Sequence, residues 1–337
     1  MNSRKIIKID SNHDDSTLII EYDLGNVCNY SCHYCFPESN TGTVKWPDLT
    51  TAVSGINTII NFYRQNGKTK FIIDLIGGEV TIWKDIATFV TEISSDDVLI
   101  NIITNGSRSL SWWKQYGNLF GRVAISFHPT WGSTKHIAEV ADLLYSKNVY
   151  TEVSVSIDPT NFELSEQLIV ELEKLSKFKW GIFRNEILID GKNIYTPDQN
   201  DIVKQKIYRY PDIAYYASTS KLPLKYYLAY SKDSIIPLQT TARELMLTGN
   251  RHFYGWHCNL GIDLIYISRT GRLTGSCGNR LYQLTKYYNI YDANFNKEFF
   301  PTLKPAKCHT VQCSCDREIE IRKQVAYPIN VQLLKPL

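Results

Sequence analysis

The chain has 337 residues, 43% of them apolar and 12% aromatic, which is enough to bury a large core and too apolar for a disordered polymer. Its net charge of +3 is spread along the sequence rather than gathered in a basic block, so electrostatics leave a nucleic-acid partner unsupported. No apolar run reaches the roughly eighteen residues of a membrane span, and the amino end has no apolar signal core, so the expected location is the cytoplasm, where thiols stay reduced.

In chain order, residues 1–16 read as an N-terminal extension, and Leu18-Ile19-Ile20-Glu21-Tyr22-Asp23 as a first strand. That strand runs into Cys28-Asn29-Tyr30-Ser31-Cys32-His33-Tyr34-Cys35. Apolar, β-branched runs recur at 71–76, 98–104, 123–127, 150–157 and 180–188, and the intervening segments 51–65, 83–94, 135–146 and 164–175 carry apolar residues at three- and four-residue spacing. This alternation predicts an α/β fold with a parallel sheet, whose reactive loops follow the carboxyl ends of the strands. Small and polar residues stand at those ends: Gly77-Gly78-Glu79, Thr104-Asn105-Gly106, and Ser126 shortly before His128. Asp190-Gly191 is a hairpin-turn signal, and 191–250 reads as a connector or substrate region rich in tyrosine, where aromatic packing is the simpler reading.

The cysteine loop carries the chemistry. With eight cysteines in the chain, a C-x₃-C-x₂-C spacing arises by chance with odds on the order of 0.005. It supplies three thiolates and no nearby fourth, so a metal held there keeps a position open for a reactant. The octapeptide resembles the cluster loop of the radical S-adenosylmethionine (radical SAM) superfamily. The resemblance implies a partial (β/α)6 TIM-like barrel over 17–190, with a [4Fe–4S] cluster on Cys28, Cys32 and Cys35. It further implies Tyr34 by the adenine, Gly77-Gly78-Glu79 at the methionine amino group, and Ser126 by the ribose. Asn105 is a further cofactor candidate or a turn former, and Lys135 a candidate for the methionine carboxylate. His128 reads as a loop histidine. Arg184, on the sixth strand, is a candidate contact for substrate.

Five cysteines return after a gap of more than two hundred residues: Cys258, Cys277, Cys308, Cys313 and Cys315. The first two flank alternating apolar residues turned at Thr270-Gly271, which predicts a β-hairpin. Residues 251–337 resemble the Twitch and SPASM auxiliary-cluster extensions of radical SAM enzymes, a small cysteine-rich β-hairpin and helix domain. The resemblance implies one further [4Fe–4S] cluster, with Cys258 and Cys277 as ligands and Cys308, Cys313 and Cys315 competing for two places. A spare Cys315 would be a candidate hydrogen-atom donor. A zinc ribbon is the alternative reading of the same thiols.

The family resemblance implies reductive cleavage of S-adenosylmethionine, with an electron from a flavodoxin or ferredoxin, and hydrogen abstraction from a substrate. Modification of a peptide or protein side chain by cross-linking or oxidation is the expected reaction. The alternatives are a dehydrogenase or epimerase acting on a carbohydrate, aminocyclitol or nucleotide, and a non-catalytic iron–sulfur or zinc scaffold.

Overall fold

The computed structural model describes residues 6–11, 15–35, 38–189, 192–212, 227–231, 234–240, 245, 249–274, 288–308, 313 and 321–325. The Asp190-Gly191 turn, Cys277 and Cys315 lie outside the described residues. The elements are β1 (Ile6–Ser11), β2 (Thr17–Asp23), α1 (Leu49–Gln65), β3 (Lys70–Ile76), α2 (Ile86–Ile93), β4 (Val98–Thr104), α3 (Leu110–Tyr116), β5 (Arg122–Phe127), α4 (Thr134–Ser146), β6 (Tyr150–Ile157), α5 (Phe162–Leu175), β7 (Gly181–Glu186), α6 (Pro197–Lys204) and β8 (Ile207–Arg209). After these come β9 (Tyr227–Ser231), β10 (Ser234–Thr240), β11 (His257–Cys258), β12 (Leu264–Ile267), β13 (Leu273–Thr274), α7 (Phe295–Glu298), β14 (Ala306–Lys307) and β15 (Lys323–Gln324). The chain divides into two units, one made of Tyr22–Ser54 and Ile72–Leu222, the other of Met1–Glu21, Gly55–Phe71 and Pro223–Leu337.

The first unit is the α/β part. It holds most of β3 and all of β4 to β8, which follow one another in chain order, and β4, β5, β6 and β7 pair in parallel. A helix separates each successive pair from β3 to β7, the alternation of a (β/α) barrel, while Thr17–Glu21 of β2 and Gly55–Gln65 of α1 are counted with the other unit. The strands form where β-branched residues run together, and β3 is buried along five consecutive positions, as a strand covered on both faces must be. Helix α4 buries Ile137, Val140, Ala141 and Leu144, the i, i+3, i+4, i+7 stripe expected of a helix packed on a sheet. Ser133 caps its start, as Ser109 caps α3, each accepting a backbone N–H of the first turn. β8 closes the edge in antiparallel pairing with β7.

The second unit is mostly antiparallel. Its sheet runs β10-β9-β1-β15-β11-β14, so that residues 6–11 form an inner strand between β9 and β15. The expected hairpin is present, with Tyr266 opposite Thr274 and Ile267 opposite Leu273. Cys258 is not at its end. It lies on β11, opposite Ala306 of β14 and Lys323 of β15, because the turn after β11 carries the chain out of that sheet before the hairpin begins. Lys68 braces the unit from inside, donating to the carbonyls of Asp15 and Thr17 at 2.9 Å each and to Asp263 at 3.2 Å.

Candidate active site

The cysteine loop leaves β2, and its ends are tied by the Asn26 side chain. Asn26 is 1% exposed, and its side-chain amide donates to the Glu38 carbonyl at 2.6 Å and to the hydroxyls of Thr41 and Thr43 at 2.9 and 3.0 Å, while its side-chain oxygen accepts from the Val44 N–H at 2.7 Å. These bonds tie the outgoing and returning ends of the loop together. Within it, Tyr30 N–H donates to Cys28 Sγ at 3.3 Å, and Cys35 N–H donates to the Cys32 carbonyl at 3.2 Å. The Cys32 thiol donates to Cys35, which draws Cys35 down to about 7 and pushes Cys32 up, while burial pushes Cys28 up.

Among the described residues no three of His, Cys, Asp or Glu converge closely enough to hold a single metal ion. A cubane cluster spreads its thiolates wider than one ion does, and a loop of three thiols without a carboxylate or imidazole ligand is a soft donor set suited to iron–sulfur. The residues therefore fit such a cluster with one iron left open.

The next strand end packs directly on this loop. Gly78 N–H donates to the Gly25 carbonyl and Glu79 N–H to the Val27 carbonyl, each at 2.8 Å. A Cβ on Gly78 would stand 2.2 Å from Val27 O, and one on Gly77, whose φ is +148°, would stand 2.6 Å from Gly25 O. The two glycines are thus required by protein backbone that lies against them. The Glu79 carboxylate, wholly buried, accepts from Thr81 N–H at 3.0 Å, from the Thr81 hydroxyl, from the Thr104 hydroxyl at 2.7 Å and from Asn105 N–H at 2.5 Å. Burial pushes this carboxyl up and the hydrogen bonds pull it down. Glu79 is committed to protein donors and locks the end of β4 onto the end of β3.

Asn105 carries the link onward. Its side-chain amide donates to Asn29 at 2.9 Å, inside the cysteine loop, and Asn29 in turn donates to Ser107 at 3.0 Å. His136, on the first turn of α4, bonds through Nε2 with the carbonyls of Gly106 at 3.1 Å and Arg108 at 3.0 Å.

Aromatic rings line the other flank. Tyr34 bonds through its hydroxyl with His128 Nδ1 at 2.8 Å, and the two rings stack 5.7 Å apart. Burial draws His128 down to about 4, so it is neutral. Ser156, on β6, stands 3.5 Å from the same nitrogen. Tyr30 stacks on Trp131 at 5.7 Å and meets His128 edge-on. Ser126 is half-buried on β5, and Lys135 is exposed on the first turn of α4. Arg184 is 7% exposed and forms a two-point ion pair with Glu166 of α5, at 2.7 Å for both bonds, with Tyr208 over its guanidinium. Ser156 and Trp131 are members of this site that sequence reasoning missed, and His128, read there as a loop histidine, also belongs to it. The one available signal was that Phe127-His128-Pro129 directly follows Ser126 at the end of a strand.

In the other unit, Cys258, Cys308 and Cys313 are 6%, 4% and 6% exposed and share one buried cluster with Ile9, Leu245, Phe253, Leu264 and Ile321. Cys308 N–H donates to the Trp256 carbonyl at 2.6 Å and Cys313 N–H to the Arg251 carbonyl at 2.9 Å.

No protein-family model matches the chain. An S-adenosylmethionine-dependent nucleotide dehydratase of Psychrobacter lutiphocae is 22% identical over 222 residues, 59% of this chain and 74% of that protein. A protein of the same description from a Fibrobacter species is 23% identical over 193 residues, 52% of this chain and 57% of its own length. The chain is similar to S-adenosylmethionine-dependent enzymes. Among solved structures, Streptococcus suis SuiB bound to precursor peptide SuiA matches with a TM-score of 0.49 and 11% identity, over 84% of this chain and 64% of that one. Native anSMEcpe with bound AdoMet matches at 0.48 and 15%, over 84% and 80%. Both curated relatives are described as S-adenosylmethionine-dependent enzymes.

Proposed function

We propose that this protein is a radical SAM enzyme that abstracts hydrogen from a peptide or protein side chain and uses a second thiolate-held cluster in the oxidation or cross-linking that follows. The observation that carries the second cluster is the burial of Cys258, Cys308 and Cys313 together in one apolar cluster, with Cys277 and Cys315 close by in sequence to complete a ligand set. Buried thiols are ordinary singly, but three in one small core are more than packing requires.

Cys28, Cys32 and Cys35 are the proposed holders of the catalytic cluster. When bound, the cluster and S-adenosylmethionine supply a 5′-deoxyadenosyl radical after one electron arrives from a flavodoxin or ferredoxin. Tyr34, fixed by His128, offers a ring face to the adenine. The Glu79 carboxylate keeps Asn105 and the backbone after β3 aligned against the cysteine loop, so it acts by positioning. Ser126 and Lys135 are the proposed contacts for the ribose and the methionine carboxylate. Arg184 has its charge satisfied by Glu166 and is assigned to holding β7 on α5 rather than to substrate.

A second reading is favoured by the description of the two relatives: a nucleotide substrate, with radical-initiated loss of water as the reaction. Anaerobic reconstitution, iron counting and assay of 5′-deoxyadenosine test the proposal. About eight irons per chain are expected, falling to about four in Cys28→Ala/Cys32→Ala/Cys35→Ala with loss of 5′-deoxyadenosine. Zinc in place of iron in that triple variant would remove the redox role of the second site. Stimulation of 5′-deoxyadenosine by ribonucleoside triphosphates, with a product lighter by one water, would replace the peptide reading with the nucleotide one.

A further inference from the structure

Lys323 is a buried cation placed among the carboxyl-terminal cysteines. It is 3% exposed, it lies directly opposite Cys258 across the β11–β15 pairing, and its Nζ stands 4.0 Å from Cys313 Sγ. Directly opposed residues of an antiparallel pair put their side chains on one face of the sheet. Cys308 follows β14 on the opposite side of β11, so three neighbouring strands bring two thiols and one ammonium to the same place, and Cys313 adds a third thiol. The ammonium also lies over the Phe253 ring, 4.3 Å from its centre.

Burying an ammonium is costly unless negative charge faces it. Thiolates holding a metal supply such charge, because a cluster with its thiolate ligands carries net negative charge, which increases when the cluster gains an electron. A fixed cation beside it therefore favours the reduced form.

We propose that Lys323 is the internal counter-charge of the second metal site, donating to Cys313 Sγ and raising the reduction potential of the cluster held by Cys258, Cys308 and Cys313. This rests on the second-cluster reading above. The redox step is the gain of one electron by that cluster, supplied in the test by dithionite through mediator dyes. Lys323 is a positioning residue here and touches no reacting atom.

The test uses full-length protein carrying Cys28→Ala/Cys32→Ala/Cys35→Ala, reconstituted with iron and sulfide so that only the second site is loaded. The midpoint potential is read by electron paramagnetic resonance in three versions: Lys323, Lys323→Arg and Lys323→Gln. Lys323→Gln is expected to lower the potential by at least about 59 mV, a tenfold change in a one-electron equilibrium. Lys323→Arg, which keeps the charge, is expected to stay close to the parent. Equal potentials in all three, with iron retained, would overturn the role of Lys323 and leave the second cluster standing. Failure of the triple variant to take up iron would overturn the second-cluster reading and this inference with it. If Lys323→Gln folds, as judged by circular dichroism, but cannot retain iron that Lys323→Arg retains, the counter-charge role is supported through affinity instead.

Discussion

The Tyr34 hydroxyl and His128 Nδ1 share a hydrogen bond of 2.8 Å across two stacked rings, so the last aromatic residue of the cysteine loop is clamped by the loop that follows β5. Burial holds His128 near 4, against about 6.5 for the unfolded chain. Between those values the unfolded state binds a proton that the native state does not, so native stability falls as pH falls. The expected loss is about 1.4 kcal/mol per pH unit from this group. Urea unfolding of the metal-free protein between pH 7 and pH 5, wild type against His128→Phe, should show that contribution to the slope in the first and its absence in the second.

Removing the phenol has a different signature. Tyr34→Phe keeps the ring stack but leaves the His128 nitrogen without its hydrogen-bond partner, which should cost about 1–3 kcal/mol in the same unfolding experiment. The double variant Tyr34→Phe/His128→Phe should recover part of that loss, and strict additivity would count against the coupling.

At the end of β3, Gly78→Ala should be severe. The new methyl would meet Val27 O at 2.2 Å, a contact with backbone that cannot swing aside. A destabilisation of about 2–4 kcal/mol is expected, together with reduced iron uptake, because the displaced backbone is that of the cysteine loop itself. Iron content per folded chain checks the second effect independently of the first.

Glu79→Gln replaces an acceptor with a group that must donate on one side, while Thr81, Thr104 and Asn105 all donate toward it. Stability should drop by about 2–3 kcal/mol. S-adenosylmethionine affinity, measured by calorimetry on reconstituted protein, should fall as the β4 end loosens.

Arg184→Ala should lower stability by about 3 kcal/mol, because Glu166 is left facing the place of its partner. The rate of 5′-deoxyadenosine formation per folded molecule should stay near wild type. A selective collapse of that rate would return Arg184 to the substrate list.

The strand and helix order of the α/β unit was legible because each element writes its period plainly: β-branched runs for β3 to β6 and an i, i+3, i+4, i+7 stripe for α4. The cysteine loop and Gly77-Gly78-Glu79 were legible because few residue types tolerate those positions. The reason for the glycines was not. It lies in the backbone of Gly25 and Val27, which stands against them. The role of Glu79 was hidden for a related cause, since its donors Thr81, Thr104 and Asn105 come from a turn and a second strand whose approach depends on tertiary packing. The pairing of β1 with β9 and β15 joins residues more than two hundred positions apart, and Ile6-Ile7-Lys8-Ile9 carries too short a pattern to announce it. His128 was visible, but an isolated histidine before proline has many uses, and only the Tyr34 contact selects one.

Asn26 gives the cysteine loop a property that its three thiols alone do not. Its bonds to Glu38, Thr41, Thr43 and Val44 are made entirely by protein atoms, so folding alone ties residue 26 to the segment that returns from the loop.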